Sequence, residues 1–231
     1  MLKYKWRIDK MRIRYKPWAR KELEESKFYR EYPETLKGKW RKEFKNENQP
    51  FFVELGCGKG SFIAQKACKH PENNYLAIDL VDPMLGLAKR KIEELYANAK
   101  KEIDNVILTR FDIERILLIL DTQDKVDGIY INFCNPWPRG KHHKKRLTHT
   151  RQLKHYQEFL KPEGKIYFKT DDEELFEHSI RYFEEARFTI EKQTKDLQNQ
   201  VDFWENIETE HEKMFSEQGI KIKALIAKNT K

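Results

Sequence analysis

Val53-Glu54-Leu55-Gly56-Cys57-Gly58-Lys59-Gly60 is the stretch on which the reading of the fold turns. A short apolar run, Phe51 to Leu55, is cut off by Gly56, and Ser61 to Lys69 then reads as a helix stopped by Pro71. Glycine at every second position makes a turn that folds tightly and lets a ligand approach the backbone. Strand, glycine turn and helix in that order form the first unit of an open α/β sheet. Ligands settle there at the carboxyl ends of the strands, where the strand order reverses.

The alternation continues downstream. Strands are expected at Tyr75–Leu80, Val106–Thr109, Gly128–Phe133, Lys165–Lys169, Phe188–Lys192 and Ile220–Ala227. Helices are expected at Pro83–Lys100, Ile113–Leu120, Leu147–Leu160, Glu173–Glu185 and Glu208–Glu217, with Pro162-Glu163-Gly164 as a turn. Strands and helices that alternate in this way predict a mostly parallel sheet with helices on both faces. Upstream, a helix from Ala19 to Tyr32 should stop at Pro33. Residues 1–18 read as a basic arm and 19–231 as a single domain, a size that suits one large core.

Composition narrows the partners. A net charge of +8 favours an anionic one, although charge alone fits ordinary solubility as well. Cys57, Cys68 and Cys134 are odd in number and lack CxxC spacing, so neither a disulfide framework nor a zinc knuckle is expected. No apolar run reaches the length of a membrane span, and the N-terminus lacks the apolar core of a secretory signal. A cytoplasmic protein without a metal is the expectation, with monomer and homodimer both open.

The turn reads Gly-x-Gly-x-Gly, whereas a dinucleotide fold usually shows Gly-x-Gly-x-x-Gly with a pyrophosphate on the helix N-terminus. S-adenosylmethionine carries no phosphate; it needs an acceptor for its ammonium and a carboxylate for its ribose. Glu54 ahead of Gly56 and Gly58 supplies the first, Asp79 at the end of the second strand the second, and Asp112 after the third strand can accept from the adenine amino group. Each residue taken alone reads equally well as a loop glycine or a surface acid, and a nicotinamide-binding module is the main competitor.

The fourth strand runs into Asn132-Phe133-Cys134-Asn135-Pro136-Trp137-Pro138, a stiff loop whose tryptophan offers a stacking face for an unpaired base. From Arg139 to Lys154 there follow seven Lys or Arg and no acid. Cations at a helix start oppose its dipole, so this stripe is better explained by phosphate contact than by helix stability. His142 and His143 have no third ligand at metal spacing, which leaves RNA contact or simple exposure.

At this point the chain resembles the bacterial tRNA (guanine-N7)-methyltransferases. The residues that carry the resemblance are Met11 to Ala19, Glu54 with its glycines, Asn132 to Pro138, Lys144-Lys145-Arg146-Leu147-Thr148, Phe168-Lys169-Thr170-Asp171 and Thr209 to Phe215. The resemblance implies a Rossmann-like class I methyltransferase fold with a seven-stranded sheet whose last strand inserts antiparallel. It implies methyl transfer from S-adenosylmethionine to N7 of a guanine in tRNA, position 46 of the variable loop. It also implies that Glu54, Gly56, Gly58, Asp79, Asp112 and Asn135 bind the cofactor. Arg139, Asp171, Thr209, Glu210, His211 and Glu212 would meet the substrate, and Lys141, His142, His143, Lys144, Lys145 and Arg146 would touch RNA. Read without the resemblance, Asp171 is a helix N-cap with Glu174 three residues on, and Thr209 with Glu212 fits a capping box.

The family normally has Asp, usually given the catalytic role, where this chain has Asn135. Asn cannot be a general base, but guanine N7 carries its own lone pair and loses no proton on methylation. Asn135 is therefore expected to position rather than to deprotonate. Two rivals remain: an N6-adenine methyltransferase, whose Asn-Pro-Pro-aromatic tetrad Asn135 to Pro138 nearly matches, and an inactive RNA-binding protein on the same fold.

Overall fold

The computed structural model describes residues 16–200 and 202–231. Most of the expected basic arm therefore lies outside the described residues. Helix α1 (Pro17–Glu24) starts on a proline whose missing N–H costs nothing at that position. A two-residue strand β1 (Tyr29–Arg30) follows. The helix expected to reach Tyr32 is thus cut short, because Thr109 Oγ1 and the Leu108 N–H draw this segment onto the sheet edge by donating to the Arg30 and Phe28 carbonyls.

Then come β2 (Phe51–Leu55), α2 (Ser61–Lys69), β3 (Asn74–Asp79), α3 (Asp82–Asn98), β4 (Val106–Arg110) and β5 (Val126–Asn132). The chain closes with α4 (Thr150–Tyr156), β6 (Leu160–Thr170), α5 (Glu173–Glu185), β7 (Phe188–Thr194), α6 (Glu210–Glu217) and β8 (Lys223–Asn229). Residues 113–118, within the helix expected at Ile113–Leu120, form a 3-10 turn, and residues 140–145 form another. The helix expected from Leu147 begins only at Thr150, where the His149 side chain accepts from the Arg151 N–H. The Pro162–Gly164 turn lies within a longer β6, at an irregularity in its register with β5.

Among the described residues the sheet has eight strands in the order β1-β4-β3-β2-β5-β6-β8-β7. The expected seven are β2 to β8, and β1 is the addition at the edge. Among these eight strands β8 alone runs against its neighbours, inserted between β6 and β7. Alternation along β3 sends Tyr75 and Ala77 to the face covered by α1, α2 and α3, and Leu76 and Ile78 to the face packed by α4 and α5. Burial on both faces is why these strands read as continuous apolar runs.

The strand order reverses at β2, flanked by β3 and β5. Gly60, at φ +73°, lets the turn after β2 close: a Cβ there would lie 2.6 Å from the Cβ of Ala88 in α3. Among the described residues no helix is long and apolar enough to cross a membrane.

Candidate methyl-transfer site

Glu54 is the penultimate residue of β2, on the α2 face of the sheet, and is 2% exposed. Its Oε1 accepts from Asn132 Nδ2 at 3.0 Å, while its Oε2 is buried without a partner. Burial pushes its carboxyl up to about 7, against the pull of the Asn132 hydrogen bond and the Lys169 charge. A buried carboxylate with one idle oxygen is poised for a cationic ligand.

Asp79 sits beside it at the end of β3. Its Oδ2 accepts from the Gly58 N–H at 2.9 Å and its Oδ1 from the Val81 N–H at 3.0 Å, so the carboxylate is fixed in place with lone pairs to spare. Burial raises its pKa, with those same amides opposing. The turn is tied down by the Gly56 and Cys57 N–H groups, both donating to the Ile78 carbonyl. Gly58, at φ +54°, has open space where a side chain would be, as a backbone approached by a ligand requires. Asp112 lies beyond β4, half-buried, and accepts from the Glu114 N–H at 3.0 Å.

The loop after β5 is held in an unusual backbone. Phe133 and Trp137 both have positive φ, +52° and +42°. Such values in bulky residues persist only where the surroundings enforce them. Between them Asn135 is exposed, and its Oδ1 accepts from the Trp137 N–H at 3.0 Å, an Asx turn. The Trp137 ring is not an open stacking platform: His142 packs at 5.6 Å and the Lys145 ammonium lies 5.2 Å from its centroid.

Within the cationic turn, Lys141, Lys144 and Lys145 are exposed and His142 and His143 half-buried. Arg146 departs from the sequence expectation. Its side chain is fully buried and engaged by protein groups, so it is not presented to a phosphate. Arg139 is exposed.

The third cluster of expected residues meets at the ends of β6 and α6. Thr209 does cap α6, its Oγ1 accepting from the Glu212 N–H at 3.1 Å. Glu212 does not complete a capping box, because its Oε2 accepts from Lys169 Nζ at 2.6 Å and its Oε1 from Asn206 Nδ2. Lys169 also donates to the Asn206 side chain and the Ile207 carbonyl, both at 2.9 Å, so all three of its donors are satisfied at 1% exposure. Glu210 pairs with Lys91 and Lys59, and the exposed His211 ring stacks on Phe133. α5 is capped not by Asp171 but by Asp172, whose Oδ1 accepts from the Leu175 N–H at 2.6 Å. Asp171 is thereby left half-buried, with its pKa raised by burial.

Sequence reasoning passed over Asn132, Lys169 and Asn206. Asn132 and Lys169 are register partners on β5 and β6 and line a cavity of about 170 Å³ with Phe62, Tyr130 and Tyr167. The signal available for Lys169 was its place at the end of the apolar run Ile166-Tyr167-Phe168, since a lysine is almost never fully buried unless it is paired.

A family model described as "Putative methyltransferase" matches residues 48–225. The chain is 58% identical over 94% of its length to a tRNA (guanine-N(7)-)-methyltransferase of Clostridium beijerinckii, 98% of which is covered. It is 54% identical to one from Clostridium perfringens and 50% identical to one from Acetivibrio thermocellus, each over 94% of this chain and 99% of the relative. The chain belongs to the tRNA (guanine-N7)-methyltransferase family. Solved structures show the same fold: an antibiotic-related methyltransferase (TM-score 0.55, 18% identity) and the 16S rRNA methyltransferase KamB (TM-score 0.56, 14% identity). Each match covers 78% of this chain and 87% of the other. For a tRNA (guanine-N7)-methyltransferase the geometry divides into two parts: the carboxylates of Glu54 and Asp79 with the glycine turn at the reversal of strand order, and a cationic turn next to the strained loop that carries Asn135.

Proposed function

We propose that the chain transfers the methyl group of S-adenosylmethionine to N7 of a guanine in tRNA, position 46 of the variable loop, giving 7-methylguanosine and S-adenosylhomocysteine. The observation that carries this reading is the idle buried Glu54 Oε2 at the strand-order reversal, which suits the ammonium of an amino-acid end. S-adenosylmethionine supplies, when bound, an activated methyl group on a sulfonium centre. Glu54 would hold the ammonium, Asp79 the ribose hydroxyls and Asp112 the adenine amino group, with Gly56 and Gly58 giving close access to the backbone.

Guanine N7 needs no base, so the side chains around it have only to place it. Asn135 would do so from the turn it shares with Trp137, with Arg139, Asp171 and the Thr209–Glu212 segment beside the base. Lys141, His142, His143, Lys144 and Lys145 would meet the tRNA backbone in the cytoplasm. His211 and Glu210 have exposed side chains suited to contact, whereas Glu212 would act through Lys169.

Labelled methyl transfer to unmodified tRNA, followed by nucleoside analysis, tests the reading. The expected product is 7-methylguanosine; 6-methyladenosine in its place, or no methylated base, would overturn it. Replacing Lys144 and Lys145 together by alanine should weaken tRNA binding and reduce its salt slope by about one to two. An unchanged slope would place the tRNA on another surface.

A further inference from the structure

We propose that Arg146 is a positioning residue whose guanidinium clamps the Asn135–Pro138 turn onto α5 and so sets the orientation of Asn135; this deepens the reading of the site as a methyltransferase centre. Arg146 Nε donates to the Pro136 carbonyl at 2.7 Å and Nη2 reaches the Trp137 carbonyl at 3.4 Å. On its other side Nη2 donates to Glu174 Oε1 at 3.0 Å and Nη1 to His178 Nδ1 at 2.5 Å. A guanidinium has only donors, so His178 Nδ1 must accept, which puts the ring's proton on Nε2. The guanidinium fork matches this set because it is planar and bridges several acceptors at once, which an ammonium cannot do.

The anchor is rigid. Glu174 and His178 lie one turn apart on α5, which is capped by Asp172 and buries Leu175, Phe176 and Phe183. A buried hydrogen bond between Thr148 Oγ1 and Ser179 Oγ, 2.7 Å, ties the stretch that carries Arg146 to the same helix. The loop on the other side needs holding, since Trp137 sits at φ +42° and its N–H is what the Asn135 side chain accepts from. Fixing the Pro136 and Trp137 carbonyls fixes the two peptide planes around that N–H. The same cluster bears on metal binding. His143, Glu174 and His178 bring their ligand atoms within 4.8 Å of one another, so the partners that sequence spacing lacks come from α5, and they join His143 without His142. The guanidinium already donates to two of the three, and a metal ion would have to displace it.

Arg146→Lys and Glu174→Gln test the clamp, with kcat, both KM values, tRNA affinity with its salt slope, and hydrogen exchange at the Trp137 amide as readouts. For Arg146→Lys the expected result is kcat lower by about 10- to 100-fold, the loss that follows small misplacement of a reacting group. Its tRNA affinity and salt slope should stay within twofold of wild type, and the Trp137 amide should exchange faster. A salt slope reduced by about one at unchanged kcat would overturn the clamp and make Arg146 a phosphate contact. If Arg146→Lys does not fold, Glu174→Gln decides: its side chain is exposed, kcat should fall several-fold, and wild-type kcat with unchanged Trp137 exchange overturns the proposal. A wild-type chain that produced no 7-methylguanosine would sink the functional reading, while the exchange measurement would still judge the clamp.

Discussion

Glu54→Gln is expected to weaken S-adenosylmethionine binding by roughly 10- to 100-fold while leaving the ligand-free protein at least as stable as wild type. Glutamine keeps an oxygen for Asn132 Nδ2 but removes the charge that an ammonium would meet, and hydrogen bonds to charged groups are worth about 1.5–3 kcal/mol. The stability half follows from the sign of the pKa shift. The folded carboxyl titrates near 7, above its unfolded value, so its contribution to stability is present at low pH and lost as pH rises through 7. Glutamine stays neutral and escapes that loss. For the wild type, affinity should fall about tenfold per pH unit below about 7, with proton release on binding, because a proton must leave Glu54 before the ammonium can pair. It should be flat between about 7 and the start of ammonium titration near 8. Calorimetry in buffers of different ionisation enthalpy reads both; pH-independent affinity without proton release would remove Glu54 from the ammonium site.

Asn135→Ala should lower kcat by about 100-fold, whereas Asn135→Asp should keep turnover within a few-fold of wild type. Alanine removes the acceptor for the Trp137 N–H and lets a strained loop relax, and a displacement of about 1 Å at a reacting centre costs this much. Aspartate accepts the same hydrogen bond, which gives a physical reason for either residue to serve at this position. Single-turnover rates at saturating substrates separate the outcomes. Near-wild-type turnover in the alanine variant would show that the turn does not place the base. Equal losses in both variants would shift the role to the Asn135 amide N–H₂ group.

The parts legible in the sequence share a physical signature. Strands buried on both faces leave apolar runs, and the glycines between Leu55 and Ser61 leave a turn, so the strands and the ligand-binding turn could be read directly, while the strand order came only from the resemblance. Helix starts were harder, because capping is decided by one rotamer: Asp172 rather than Asp171 reaches the Leu175 N–H. β1 is two residues long and owes its existence to partners far along the chain, Leu108 and Thr109. Arg146 shows the deepest limit. Within Lys144-Lys145-Arg146 three cations look alike, and only the return of α5 against the loop decides that one is buried while two face solvent.

The place of β8 has a consequence for the order in which this molecule can be made. β6 and β7 leave the ribosome before β8, and in the finished sheet they are not neighbours, because β8 lies between them. Until Lys223–Asn229 emerge, both carry raw edges ready to pair with another nascent chain. Completion of the sheet is therefore a late event, joining segments distant in sequence, and such closures are slow. A chain stalled or clipped just short of Lys223 would keep Glu54, Asp79 and the glycine turn and still be open along its seam, a substrate for chaperones rather than an enzyme.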